Sequence, residues 1–339
     1  MNANVSTLAP TPPPEPSQQA ALSNQERNPG TALKPELFEG HAVNRAATER
    51  RAQTLIKRRS VKKANQAAWL LNAIRCMDLT TLSGDDTEGR IYRLCAKARQ
   101  PLAPQIVAGL GIEDLKLTTG AVCVYPTMVR HAVKALRGSE VPVASVATGF
   151  PAGLMPLHLR LEEIRWAIGE GAKEIDIVIT REHVLNRDWQ ALYDEIRQMR
   201  EACGWVHMKV ILGTGDLQTL RNVYAASMIA MQAGADFIKT STGKEPVNAT
   251  LPVSLVMTRA IRDYEMETGV KVGFKPAGGM KTAKDALSWQ ILMKEELGNE
   301  WLRPSRFRLG ASSMLGDIER QLEHHVTGRY AASHRHSVA

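Results

Sequence analysis

The chain reads as an α/β protein, a (β/α)8 TIM barrel with a flexible N-terminal extension. Three observations predict it: eight short apolar, β-rich runs, intervening segments with apolar residues at helical spacing, and glycines where helices hand over to strands. The runs are Ile74 to Leu79, Ala121 to Tyr125, Pro142 to Ala147, Glu174 to Ile179, His207 to Leu212, Asp236 to Thr240, Val270 to Lys275 and Phe307 to Ala311. Between them, Leu157, Leu161, Ile164 and Ile168 share one helical face, as do Leu192, Ile196, Met199 and Cys203. Gly171, Gly204 and Gly234 each precede a strand, where a left-handed residue ends a helix, and Thr282 with Asp285 reads as a capping box opening the seventh helix. Eight strands at a spacing of about thirty residues suit a closed parallel barrel better than a doubly wound sheet. No GxGxxG follows the first strand to favour a dinucleotide fold.

The rest of the chain divides around that body. Residues 1–64 read as an extension, Pro-rich from Ala9 to Pro16 and then basic, disordered or helical; residues 65–331 form the barrel and 332–339 a tail. Hydrophobic residues at 44% and charged ones at 23% are a globular balance that can bury a sizeable core. No run reaches the roughly 18 to 20 apolar residues that span a bilayer, and the start lacks the apolar region of a signal peptide, so a cytoplasmic protein with no membrane partner is expected. Cys76, Cys95, Cys123 and Cys203 lie far apart without zinc or disulfide spacing, which suits reduced thiols. The formal charge of +8 includes Arg45, Arg50, Arg51, Lys57, Arg58, Arg59, Lys62 and Lys63. Such a cluster can touch nucleic acid, but a solvated face is its commoner meaning, so no nucleic-acid partner is expected. A homodimer is an assembly the sequence leaves open.

In a barrel of this kind chemistry gathers at the carboxyl ends of the strands. There Asp78 ends the first strand, Asp176 lies within the fourth, Lys209 within the fifth, Lys239 closes the sixth and Lys275 the seventh. Charges embedded in runs such as Asp-Phe-Ile-Lys239 cost several kcal/mol if unpaired, so three lysines and two aspartates are either core salt bridges or a site. A lysine amine attacks a carbonyl only when neutral, and its ordinary pKa of about 10.4 keeps it protonated near pH 7. A second ammonium nearby lowers that value, and desolvation acts in the same direction. Lys275 is placed to do this for Lys239, and Asp176 to move protons.

Phe274 to Met280 and Gly310 to Ser313 add glycine-rich turns after strands 7 and 8, where barrels often hold a phosphate on backbone amides. Cys123 sits near the expected mouth as a small buried hydrophobe. His324 and His325 lack metal-ligand spacing and no HExxH is present, so neither a metal nor another cofactor is expected.

The segments Met77-Asp78-Leu79-Thr80, Ala121 to Pro126, Glu174-Ile175-Asp176, Phe237-Ile238-Lys239-Thr240-Ser241-Thr242-Gly243-Lys244 and Lys275-Pro276-Ala277-Gly278-Gly279 resemble the deoxyribose-phosphate aldolase family, in its longer, animal-like branch. The likeness runs from about Leu70 to Tyr330. It implies reversible, metal-independent cleavage of 2-deoxyribose 5-phosphate to glyceraldehyde 3-phosphate and acetaldehyde. It also implies Lys239 as the Schiff-base lysine, Lys275 as the neighbour that lowers its pKa, Asp176 as the proton relay, and Asp78 and Lys209 as support. Thr242, Gly243, Lys244, Gly278, Gly279, Gly310, Ser312 and Ser313 would hold the substrate phosphate. Thr180, Gly213 and Lys281 depart from the family pattern at positions that bear on fine positioning. Tyr330, with nine residues after it, is the sole tyrosine near the end. Another Schiff-base sugar-phosphate lyase, transaldolase-like, and an inactive barrel used for binding are the alternative readings.

Overall fold

The computed structural model describes residues 27–332 and 335–336. Eight parallel strands form one sheet: β1 Met77–Thr80, β2 Ala121–Val124, β3 Val143–Val146, β4 Glu174–Val178, β5 His207–Ile211, β6 Phe237–Lys239, β7 Gly273–Lys275 and β8 Leu309–Ala311. Their order runs β7-β6-β5-β4-β3-β2-β1-β8. The ring closes between β7 and β8 through parallel bridges that pair Phe274 with Phe307 and Ala277 with Gly310. This is the barrel expected from sequence.

Alternation along each strand sorts side chains into two layers. On β4, Ile175 and Ile177 join the large core under the helices, whereas Val178 joins a small cluster with Ala121, Cys123, Ala144, Val146 and Ile211 inside the barrel. The helices used below are α1 Arg45–Leu55, α2 Lys63–Arg75, α3 Glu88–Arg99, α4 Pro104–Leu110, α5 Val129–Ala135, α6 Leu157–Gly169, α7 Arg181–Asn186, α8 Trp189–Cys203, α9 Leu220–Gln232, α10 Leu251–Thr268, α11 Ala283–Glu296 and α12 Ser313–Thr327. α8 shows why they dock: Leu192, Ile196, Met199 and Cys203 fall on one face and are all buried, at about 1.5–3 kcal/mol for each large side chain. Asp188 starts this helix by accepting the Ala191 N–H at 3.1 Å. Gly171, Gly204 and Gly234 all have positive φ, and the Thr282–Asp285 capping box is present.

Within the extension, α1 is helical, one of the two states expected there. The Pro-rich stretch lies outside the described residues, as do 333–334 and 337–339 of the tail. Residues 27 to 63, read as part of an extension, are fastened to the barrel. Buried Asn28 donates to the carbonyls of Met231 (2.7 Å) and Ala235 (2.9 Å), and its side-chain oxygen accepts from the Tyr264 hydroxyl (3.1 Å). Phe38 is buried edge-on to Trp189, and α1 packs against α10 and α11. From the basic cluster, Arg51 pairs with Glu296 at 2.8 Å and Arg59 with Glu295 at 2.6 Å. A polar segment holds here because Phe38, Ala52 and Leu55 are buried and Arg51 and Arg59 meet acidic partners on α11.

Candidate active site

Strand register sets the charged residues in two neighbouring rows of the barrel interior. Asp176 faces Lys209 as a Cα partner, and Lys239 faces Lys275. Asp78 stands opposite Gly310. Gly310 keeps the space open: a Cβ there would lie 2.9 Å from the Ala277 Cβ and 3.3 Å from the Lys275 Cε.

The contacts form a closed cycle of alternating sign. Lys209 Nζ touches Glu174 at 2.6 Å and Asp176 Oδ1 at 2.9 Å. Lys275 Nζ touches Asp176 Oδ2 at 2.8 Å and, more closely, Asp78. Arg308 closes the circle to Asp78 Oδ1 at 2.6 Å and Glu174 Oε1 at 2.7 Å. Three cations and three carboxylates therefore balance, each touching two of the opposite sign. Lys239 is the fourth cation. Its Nζ reaches the Asp176 Oδ2 already taken by Lys275, at 2.7 Å, so the two amines are no farther apart than the sum of their distances to that oxygen.

That imbalance decides which lysine can be neutral. Burial disfavours the Lys239 ammonium most; Asp176 works against this, Lys275 adds to it, and the net result is a lowered pKa. Burial also disfavours the Lys275 ammonium, but Asp176 and Asp78 outweigh it and push that pKa up. Lys209 likewise moves up, against its burial, through Asp176 and Glu174. On the acid side, burial opposes ionisation of Asp176, yet Lys209, Lys239 and Lys275 hold it well below the ordinary carboxylate value. Asp78 and Glu174 are lowered in the same way, against burial, by Lys275 and Arg308 respectively with help from each other's cations. Two lysines of one cavity are thus driven apart in pKa, the pattern of a nucleophile beside a fixed cation. Cys123 lies in the same interior, where burial pushes its thiol up.

The residues expected at the phosphate come from three adjoining loops. A Cβ on Gly243 would lie 3.9 Å from the Gly278 Cα, and Ala277 bridges to Gly310. Gly243, Gly278 and Gly279 have φ of 87°, 78° and 79°, a left-handed backbone that favours glycine, and a Cβ on Gly278 would meet the Asn248 side chain at 2.6 Å. Lys244 is exposed without an acidic partner among the described residues, and Ser312 and Ser313 are exposed at the start of α12. Thr242 is differently engaged: its N–H and its hydroxyl both donate to Glu245, the hydroxyl at 2.6 Å. Thr180 points its N–H and hydroxyl at Glu195, at 2.8 and 2.5 Å. The Tyr330 ring stacks on His324 near the end of α12 remote from Ser312, 4.1 Å between centroids.

Glu174 and Arg308 were missed as members of the charged cycle. The signal was present, since Glu174 opens an apolar strand run and Arg308 is the second residue of another, as Asp78 and Lys209 interrupt theirs, but a charge close to a strand start reads as a solvated end.

The model of the DeoC/LacD family aldolases matches residues 72–299. The chain is 60% identical to the human deoxyribose-phosphate aldolase, over 91% of this chain and 97% of that one, and 61% identical to the mouse enzyme of the same name, over 90% and 96%. Among solved structures it resembles the tetrameric deoxyribose phosphate aldolase of Aeropyrum pernix with a TM-score of 0.56, covering 78% of this chain and 98% of that one; at 20% identity this likeness speaks for the fold. The chain belongs to the DeoC/LacD family of aldolases, among its deoxyribose-phosphate aldolases.

Proposed function

We propose that the chain cleaves 2-deoxyribose 5-phosphate reversibly to glyceraldehyde 3-phosphate and acetaldehyde through an imine on Lys239. The observation that carries this reading is the charge count of the cavity, which leaves Lys239 as the one cation without a carboxylate of its own. The neutral amine adds to the C1 aldehyde of the open sugar, and loss of water gives the iminium. The iminium then accepts the electrons of the C2–C3 bond as the C3 hydroxyl gives up its proton, so glyceraldehyde 3-phosphate leaves and an enamine remains. Protonation at C2 and hydrolysis release acetaldehyde and restore the amine.

Asp176 is a weak base by itself, because three cations stabilise its ionised form. Its role here is as a pair with Lys275, the carboxylate receiving and the ammonium supplying protons within hydrogen-bond reach of Lys239. Asp78, Lys209, Glu174 and Arg308 hold the pair in place. The apolar wall of Ala121, Ala144, Val146 and Ile211 suits the two-carbon end of the substrate, and Lys244 with the glycine turns suits its phosphate. The same reading puts the protein in the cytoplasm, where its four buried thiols stay reduced. No described helix is long and apolar enough to cross a membrane.

Borohydride added with 2-deoxyribose 5-phosphate tests the proposal by reducing the imine to a stable amine. Peptide mapping is expected to find the added mass on Lys239. Label on Lys275, or none, contradicts it.

A further inference from the structure

We propose that Arg181 is a positioning residue for phosphate recognition, a latch that draws four successive loops together and through Glu245 fixes the Thr242–Lys244 turn. The inference rests on the phosphate reading above.

Arg181 is the first residue of α7, on the loop that follows β4. Its Nη1 donates to the Ala152 carbonyl at 2.9 Å and its Nη2 to the Pro151 carbonyl at 3.4 Å, both on the loop after β3. Nε faces Asp216 Oδ2, on the loop after β5, as an ion pair at 2.9 Å without hydrogen-bond alignment. Nη2 also meets Glu245 Oε1, on the loop after β6, at 3.4 Å. One planar guanidinium thus ties its own loop to the three around it, with a fork no other side chain offers.

Glu245 carries the effect to the substrate end. Its carboxylate is 4% exposed and accepts from the Thr242 N–H at 3.1 and 3.0 Å and from the Thr242 hydroxyl at 2.6 Å. The Thr242 hydroxyl in turn accepts the Lys244 N–H at 3.1 Å. A carboxylate this buried needs a cation, and Arg181 is the cation it has among the described residues. Without it Glu245 gains by turning out to water, which releases Thr242 and lets the Gly243–Lys244 segment wander. Thr242 therefore shapes the phosphate turn from behind.

Gly213 is built around the latch. It has φ +65°, and a Cβ there would lie 2.5 Å from the Arg181 Nε, so any side chain displaces the guanidinium. Gly215, two residues on, has no room either: its Cβ would stand 2.1 Å from the Val247 carbonyl oxygen, where the loops after β5 and β6 touch. This gives a physical reason for the glycine at position 213.

The test is steady-state kinetics of the full chain with 2-deoxyribose 5-phosphate and with 2-deoxyribose, for Arg181→Met, Arg181→Lys, Gly213→Ala and Lys244→Ala, each checked by thermal melting. Arg181→Met is expected to raise KM for the phosphorylated sugar about tenfold, near 1.4 kcal/mol of binding, with kcat within about twofold. Cleavage of unphosphorylated 2-deoxyribose stays at the wild-type kcat/KM. Arg181→Lys falls between, since it keeps the charge and loses the fork. Gly213→Ala shifts KM in the same direction with the charge intact, and decides the matter if Arg181→Met does not fold. Loss of phosphate discrimination in Lys244→Ala with none in the Arg181 and Gly213 variants overturns the latch alone. Equal losses on both sugars overturn it too, as a general loosening. No loss of discrimination in any of the four overturns the phosphate reading along with it.

Discussion

Replacing Lys275 by methionine removes one cation of the closed cycle and leaves Lys239 to take its place. With Asp78, Asp176 and Glu174 unchanged, three carboxylates then face Lys209, Arg308 and a protonated Lys239, and the ammonium of Lys239 is no longer unmatched. At the longest separation the two contacts on Asp176 allow, a unit charge at an effective dielectric constant of about 20 is worth about 3 kcal/mol, or about two pKa units. The neutral fraction of Lys239 near pH 7 then falls about a hundredfold, kcat/KM falls with it, and the acid limb of its pH profile moves up by about two units. Breaking a buried pair also costs about 3–5 kcal/mol of stability, so melting curves accompany the kinetics. A second variant separates charge balance from simple proximity. Lys275→Met combined with Asp78→Asn removes one carboxylate as well, which leaves Lys239 unmatched again although no amine stands at position 275. The acid limb is expected to return toward the wild-type position. An unmoved limb in the single variant refutes the electrostatic coupling, and a double variant no different from the single one refutes the balance.

The same cycle governs acid stability. Asp78, Asp176 and Glu174 are all held below the ordinary carboxylate value in the folded chain, so their contribution is fully present above the unfolded range near pH 4 and is lost as pH falls below it. Melting between pH 7 and 3 is expected to show a plateau followed by a slope of up to about 4 kcal/mol per pH unit for three groups; a flat curve contradicts it. Asn28→Ala strips a side chain that serves two carbonyls, the Gly30 N–H and the Tyr264 hydroxyl. A loss of about 2–4 kcal/mol with kcat unchanged is expected from denaturant unfolding, and an unchanged midpoint shows that residues 27–63 are not fastened as described.

Most of the barrel was legible because strands buried on both sides advertise themselves as apolar runs, and the helices between them by their stripes. The strand ends were less so. Ile74 and Arg75 read as strand but form the last turn of α2, and Val270 to Val272 read as strand while pairing begins at Gly273. An apolar run cannot say by itself whether it closes a helix or opens a strand. In the site, Asp78, Asp176, Lys209, Lys239 and Lys275 stood out as charges inside apolar runs. Their pairing did not, because which carboxylate meets which amine depends on register, as when Asp176 falls opposite Lys209. The same limit hid the engagement of Thr242 by Glu245, a contact made by the fold of one turn. Sequence reasoning ranked Lys275 first in lowering the Lys239 pKa; burial is the larger cause, and it follows from a closed interior that only the assembled barrel provides.

Among the three lysines of the cavity, Lys239 is the one whose ammonium is held least firmly, through burial and the Lys275 charge. Nitrogen-15 labelling of lysine side chains, with the Lys239 resonance assigned by its loss in Lys239→Met, measures this directly through a pH titration. Lys239 is expected to lose its proton below the ordinary value of 10.5 while Lys209 and Lys275 keep theirs beyond it. A Lys239 that stays an ammonium to that value or above, or a Lys275 that loses its proton first, contradicts it.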